Sequence, residues 1–297
     1  MALPLANPLT QRENGCEDVP ARSWRVPRAL HLWHLCSLDA PTVAVVWTLA
    51  FARAAGVHLD LWVPLLIAFG TWTVYVGDRL LDVHRAIRSG DLDALRDRHY
   101  FHWRHRRWLI PMACGTAAIA ADLVACRMPV GVRSHDSVLA AATLLYFSGV
   151  HSSARLPRWL ARLASKELLV GLLFTAGCAA PTLSRLHSAR LPFFACLVLF
   201  AALAWLNCTA IESWESRMNR TRVSLHTFVV GAVCVGASGA FLLMDVHASE
   251  LACSAAISAL LLSALNDMRT RVSPLTLRTL ADLVLLAPLA LIIAGAR

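Results

Sequence analysis

In the stretch YVGDRLLDVHRA, residues 75–86, Asp78 and Asp82 stand four positions apart with Arg79 and Arg85 beside them. Four-residue spacing stacks both carboxylates on one helical face, where they repel unless a cation lies between them. Mg²⁺ suits such a pair, because it takes one or two protein carboxylates and completes its shell with water and phosphate oxygens. The same acids can equally pair with Arg79, Arg85 or Arg88 at a solvated helix end, each ion pair worth about 0–1 kcal/mol. A second acidic group lies in LNCTAIESWESR, with Asn207, Glu212 and Glu215, the glutamates at i and i+3. Two such groups could hold two Mg²⁺ ions across a diphosphate, a recurrent way to neutralise a departing anion.

Lys166 is the sole lysine among the 28 Lys and Arg residues and opens SKELLVGLLFTAG beside Glu167. A compact ammonium there suits a phosphate or an internal carboxylate; a Lys–Glu anchor at the membrane interface accounts for it as well. Tyr75 and Trp72, one turn apart beside Asp78, could wall a prenyl or aromatic pocket, or pack at the interface. In RHYFHWRHRRW, His99, His102 and His105 drift around a helix among arginines that repel cations. That pattern is a basic surface helix rather than a metal comb, and a collar over an anionic head group is its functional form. Asp39 in CSLDAPTVAVVW and Asp282 in LRTLADLVLLAP fit helix caps or interhelical contacts.

These residues need positioning elements, and composition says what they are. Of 297 residues, 57% are hydrophobic, far outside the soluble range. Each crossing of a bilayer core about 30 Å thick takes roughly 20 apolar residues. Nine such stretches are expected, at 38–56, 59–77, 108–126, 135–153, 166–184, 191–211, 225–244, 248–266 and 279–296. Segments such as Phe193–Leu206 and Leu283–Ala294 are apolar on every face, unlike helices of a soluble bundle.

The chain is therefore expected to be an all-α, polytopic membrane bundle, residues 29–297, behind a cytoplasmic tail of residues 1–28. With the N-terminus inside, 22 of the 28 Lys and Arg residues fall on the cytoplasmic side, as the positive-inside rule requires. The net charge of +9 thus reports topology and anionic lipid contact, and no nucleic acid is needed to explain it. The longest internal loop, residues 83–107, is basic and carries Trp103, suiting a segment on the membrane surface over the pocket mouth. Nine scattered cysteines without a CxxC pair fit small buried thiols better than metal ligands or disulfides.

Nine spans, DRLLD closing the second and a polar motif closing the sixth resemble the UbiA superfamily of intramembrane prenyltransferases. The family's first motif is written NDxxDxxxD. Asp78 and Asp82 match its last two acids, while Val74 and Tyr75 stand where Asn-Asp would be. Asn207, Glu212 and Glu215 take the place of the Asp-rich second motif. The resemblance implies transfer of an isoprenoid chain from a prenyl diphosphate to a lipophilic or aromatic acceptor. It further implies Mg²⁺ on Asp78, Asp82, Glu212 and Glu215, with Lys166 and Arg79 or Arg85 balancing the leaving charge. A diverged, non-catalytic member that binds or moves a lipid is the alternative.

Overall fold

The computed structural model describes residues 27–91, 95–151, 166–186, 191–215 and 246–295. All regular structure among them is helical: α1 (Arg28–Leu35), α2 (Asp39–Ala55), α3 (Trp62–Ser89), α4 (Asp97–Arg104), α5 (Arg106–Arg127), α6 (Val130–His151), α7 (Lys166–Leu183), α8 (Leu191–Glu215), α9 (Val246–Asp267), α10 (Pro274–Val284) and α11 (Leu289–Gly295). Three helices are long and apolar enough to cross a bilayer, at Arg106–Arg127, Leu191–Trp214 and Ala248–Asp267, with a fourth crossing if α1 and α2 count as one bent span. Most of the expected tail and the expected span 225–244 lie outside the described residues.

Local chemistry sets the helix ends. Gly56 closes α2 at φ 66°, with Val57 N–H on the Ala52 carbonyl at 2.8 Å and Gly56 N–H on that of Arg53 at 3.0 Å. This is a Schellman closure, whose left-handed residue is cheapest as glycine. At the other kind of end, Ser273 accepts from Thr276 N–H at 3.2 Å, and Pro274 fills the first helical position, where its missing N–H costs nothing.

Two expected elements have different limits. α3 does not stop at residue 77 but runs unbroken to Ser89, about 42 Å at 1.5 Å per residue. That exceeds a bilayer core of about 30 Å, so Asp78 and Asp82 lie within a continuous helix rather than at its end. The stretch 279–296 is interrupted instead. α10 ends at Val284, residues 285–288 form turns, and α11 follows. Pro288 supplies the reason, since the Val284 carbonyl would take its helical bond from the N–H of residue 288, which proline lacks. Ser258 Oγ donates to the Val284 carbonyl and Trp47 Nε1 to that of Leu285, each at 2.8 Å.

α2 is the central helix, packed on α3, α7, α9, α10 and α11. Its Trp47 stacks on Phe200 of α8 at 3.9 Å between ring centroids, with Phe51 edge-on to the same ring at 5.6 Å. Leu203, Leu262 and Ala281 complete this apolar core. α7 and α8 approach so closely at Gly171 that an added Cβ would lie 3.0 Å from the Trp205 backbone nitrogen and 3.3 Å from the Ala201 carbonyl oxygen. Small residues at such contacts let membrane helices meet backbone to backbone. Gly171→Leu is therefore expected to destabilise the α7–α8 pair by about 1–3 kcal/mol or more, read as an earlier thermal transition in detergent.

Candidate functional site

Between α1 and α2 the chain turns through 87°. The turn passes through Ser37, whose φ of 55° is left-handed and costs a non-glycine residue on the order of 1–2 kcal/mol. Tertiary contacts hold it there. The Ser37 hydroxyl donates to His102 Nε2 at 3.3 Å, Trp72 Nε1 donates to the Cys36 carbonyl at 2.9 Å, and Trp33 Nε1 reaches Thr42 Oγ1 across the bend at 3.2 Å.

The bend brings residues 34 and 39 face to face. His34 Nδ1–H donates to Asp39 Oδ2 at 2.5 Å, and the other oxygen of Asp39 accepts from Ala40 N–H at 2.9 Å. From α10, Asp282 Oδ2 comes to 3.7 Å from His34 Nδ1. From α8, Asn207 Nδ2 donates to Asp282 Oδ1 at 3.4 Å. His34, Asp39 and Asn207 are buried, whereas 15% of the Asp282 side chain stays open. Arg278, one turn before Asp282, is close enough to act electrostatically on both carboxylates. The atoms buried here without a hydrogen-bond partner include His34 Nε2 and Asn207 Oδ1.

The acid pair of α3 turns toward α4. Asp78 Oδ2 accepts from Arg79 Nη1 at 3.1 Å, and the Arg79 guanidinium lies 5.6 Å over the Tyr75 ring. Asp82 Oδ2 lies 3.5 Å from His99 Nε2, while His99 Nδ1 accepts from Arg96 N–H at 2.9 Å, which leaves the proton of neutral His99 on the nitrogen facing Asp82. His102 takes the opposite tautomer, because its Nδ1–H donates to the Arg98 carbonyl at 2.8 Å and Nε2 is left to accept from Ser37. Tyr75 joins the two groups, lying within electrostatic reach of Arg79 on one side and of Cys208, Asp39 and Asp282 on the other. One polar region thus draws on α1, α2, α3, α4, α8 and α10.

Burial keeps both α4 histidines neutral. Desolvation lowers His99 below its ordinary value, against the opposing pull of Asp82. Desolvation lowers His102 from 6.5 to about 4. The unfolded chain therefore binds the extra proton first, and stability that is complete above pH 6.5 is lost as pH falls toward 4. The loss at His102 is on the order of 3 kcal/mol. A pH series of thermal unfolding should show that descent, and His102→Gln should flatten it.

Tyr75, Asp78, Arg79 and Asp82 do share one region, with Arg79 buried and Arg85 exposed farther along the helix. Asn207 belongs to the same region but through Asp282. Glu212 is exposed on α8, and no contact brings it to Asp78 or Asp82 among the described residues. Glu215 ends α8 and Lys166 opens α7, and their side chains lie outside the described residues. His34 and Ser37 carry no signal in the sequence, Asp39 and Asp282 make the interhelical contacts expected of them, and His99 and His102, expected on a basic helix at the membrane surface, are buried. A usable signal was present in the i, i+3 spacing of His99 and His102, one stripe of α4 that packs on α3 and α1. No family model, curated protein or solved structure matches the chain.

Proposed function

We propose that the chain is an intramembrane prenyltransferase of the UbiA type, a nine-span protein with a cytoplasmic N-terminus. It moves an isoprenoid chain from a prenyl diphosphate to a lipophilic or aromatic acceptor. The observation that carries this reading is the polar region of Tyr75, Asp39, Asn207 and Asp282, three of whose helices, α2, α8 and α10, also carry the apolar core of Trp47, Phe51, Phe200 and Ala281. A charged head and an apolar tail need that juxtaposition.

The residues present fit Mg²⁺. Asp78 and Asp82 keep 25% and 37% of their side chains open, so a hydrated ion can reach them. Both are hard oxygen donors. Asp78 and Asp82 would hold the ion, with Glu212 and Glu215 as the second group. When bound, Mg²⁺ screens the diphosphate and eases its departure. Arg79, Arg85 and Lys166 balance the remaining negative charge, and the apolar wall beside Tyr75 and Trp72 excludes water from the reacting carbon.

A second reading, a diverged lipid-binding or lipid-moving protein, is favoured by two helix interruptions, at 36–38 and 285–288. Broken helices are the architecture of carriers. Purified protein with Mg²⁺, prenyl diphosphates of several lengths and a total lipid extract separates the two. A prenylated lipid product supports the transferase, and diphosphate binding without product supports the alternative. Reporter fusions at Arg98 and Arg220 are expected on the cytoplasmic side and one at His247 outside. Arg98 and Arg220 on opposite sides would remove the common pocket.

A further inference from the structure

We propose that His34, Asp39 and Asp282 form a binding site for a divalent transition-metal ion, distinct from the Asp78–Asp82 pair and independent of whether the chain transfers prenyl groups. Each residue offers one ligand atom, and these atoms all lie within 4.8 Å of one another. Nitrogen and oxygen ligands stand about 2.0–2.2 Å from such an ion, so neighbouring ligand atoms are separated by roughly 3–3.5 Å. The measured separations from His34 Nδ1, 2.5 Å to Asp39 and 3.7 Å to Asp282, bracket that range. Small side-chain rotations reach it.

Two acids and a histidine do not by themselves make a site, and Asn207 adds the independent observation. Its side chain is 6% exposed, its amide head is turned to Asp282, and its Oδ1 has no partner. A buried amide oxygen left unpaired costs on the order of 1–3 kcal/mol, and a half-turn of the amide, exchanging Nδ2 for Oδ1 against Asp282, would bring it to an ion there. Asp39 is already oriented from behind, since Ala40 N–H holds its second oxygen, the outer-shell support that metal-binding carboxylates commonly have. Arg278 is a fixed cation acting on the two acids. A divalent ion would complete the neutralisation of a pair of carboxylates in a largely apolar bundle.

The donor set selects the metal. One imidazole with carboxylate and amide oxygens suits borderline ions such as Zn²⁺, Mn²⁺ or Fe²⁺, whereas Ca²⁺ and Mg²⁺ prefer oxygen alone and Cu⁺ prefers sulfur. The ligands come from α1, α2, α8 and α10. Bound metal would therefore pin the 87° bend to the two helices that flank it.

Co²⁺ is the probe, because its visible absorption reports coordination. Full-length protein, freed of any purification tag, is stripped with chelator in detergent and titrated with Co²⁺. The expected result is one bound ion per chain, displaced by Zn²⁺ and weakened more than about 100-fold in both His34→Gln and Asp282→Asn. Asp78→Asn should bind Co²⁺ as the wild type does, so failure here is separable from failure of the Mg²⁺–diphosphate reading. A folded wild type that retains no Co²⁺ overturns the proposal, as does undiminished binding in both His34→Gln and Asp282→Asn. Loss of Co²⁺ in Asp78→Asn with retention in His34→Gln also overturns it. Should the variants at 34 and 282 fail to fold, Cu²⁺ bound to the wild type decides. Its paramagnetic resonance spectrum must show coupling to one imidazole nitrogen, and a spectrum with oxygen ligands alone rejects the site.

Discussion

Asp78→Asn and Asp82→Asn should each abolish Mg²⁺-dependent binding of a prenyl diphosphate while leaving expression and membrane insertion unchanged. Asparagine keeps the size of aspartate and removes its charge, so the substitution tests coordination rather than packing. In the empty protein, the contacts of these acids include that of Asp78 to Arg79 at 3.1 Å and the approach of Asp82 to His99 at 3.5 Å. Both acids are partly open, and such pairs are worth about 0–1 kcal/mol. Loss of a metal-bridged diphosphate contact is far larger, because an anion brought beside an acid pair without its cation is repelled. Binding by calorimetry with and without Mg²⁺, beside thermal unfolding of each variant, separates the two scales. Binding that survives in both single variants and the double variant would reject the metal role.

Trp47→Ala should be the most damaging single change in the core, costing about 3–5 kcal/mol by cavity formation alone. Trp47 is fully buried, stacks on Phe200 and donates to the Leu285 carbonyl. Trp47→Phe isolates the last of these. It keeps most of the ring and leaves the carbonyl unsatisfied, for about 1–3 kcal/mol. Equal stability of Trp47→Phe and wild type in detergent unfolding would mean that the carbonyl finds another donor.

Long apolar runs were legible because a helix in lipid has to be apolar along its length. The expected spans 38–56, 108–126, 191–211 and 248–266 fall on α2, α5, α8 and α9 within a few residues. Hydropathy reports the solvent around a helix and not its hydrogen bonds. It therefore ended α3 at residue 77, where polar residues begin, although nothing there stops the helix before Gly90. It also ran through Pro288, whose lost N–H leaves apolarity unchanged. The acid pair and Tyr75 stood out by type and spacing. The contacts of His34 with Asp282 and of Ser37 with His102 join residues 248 and 65 positions apart, and no local pattern encodes them. Ser37 gives no sign of its left-handed backbone, since serine adopts it there only under tertiary constraint. Asp39 does stand at a helix start, where Ala40 N–H takes one of its oxygens, but the other is bound to His34.

Neither α10, with 11 residues, nor α11, with 7, is long enough to cross a bilayer, which takes about 20. In the nine-span arrangement proposed above, the break leaves the Leu285 carbonyl to lipid that cannot solvate it, and gives that of Val284 only a long bond from Ala287 N–H at 3.3 Å within the stretch. Their donors, Trp47 and Ser258, belong to helices synthesised earlier. In that arrangement the stretch 274–295 is at home in lipid only once docked on α2 and α9. A chain lacking the Trp47 indole would leave the Leu285 carbonyl of that stretch without its donor.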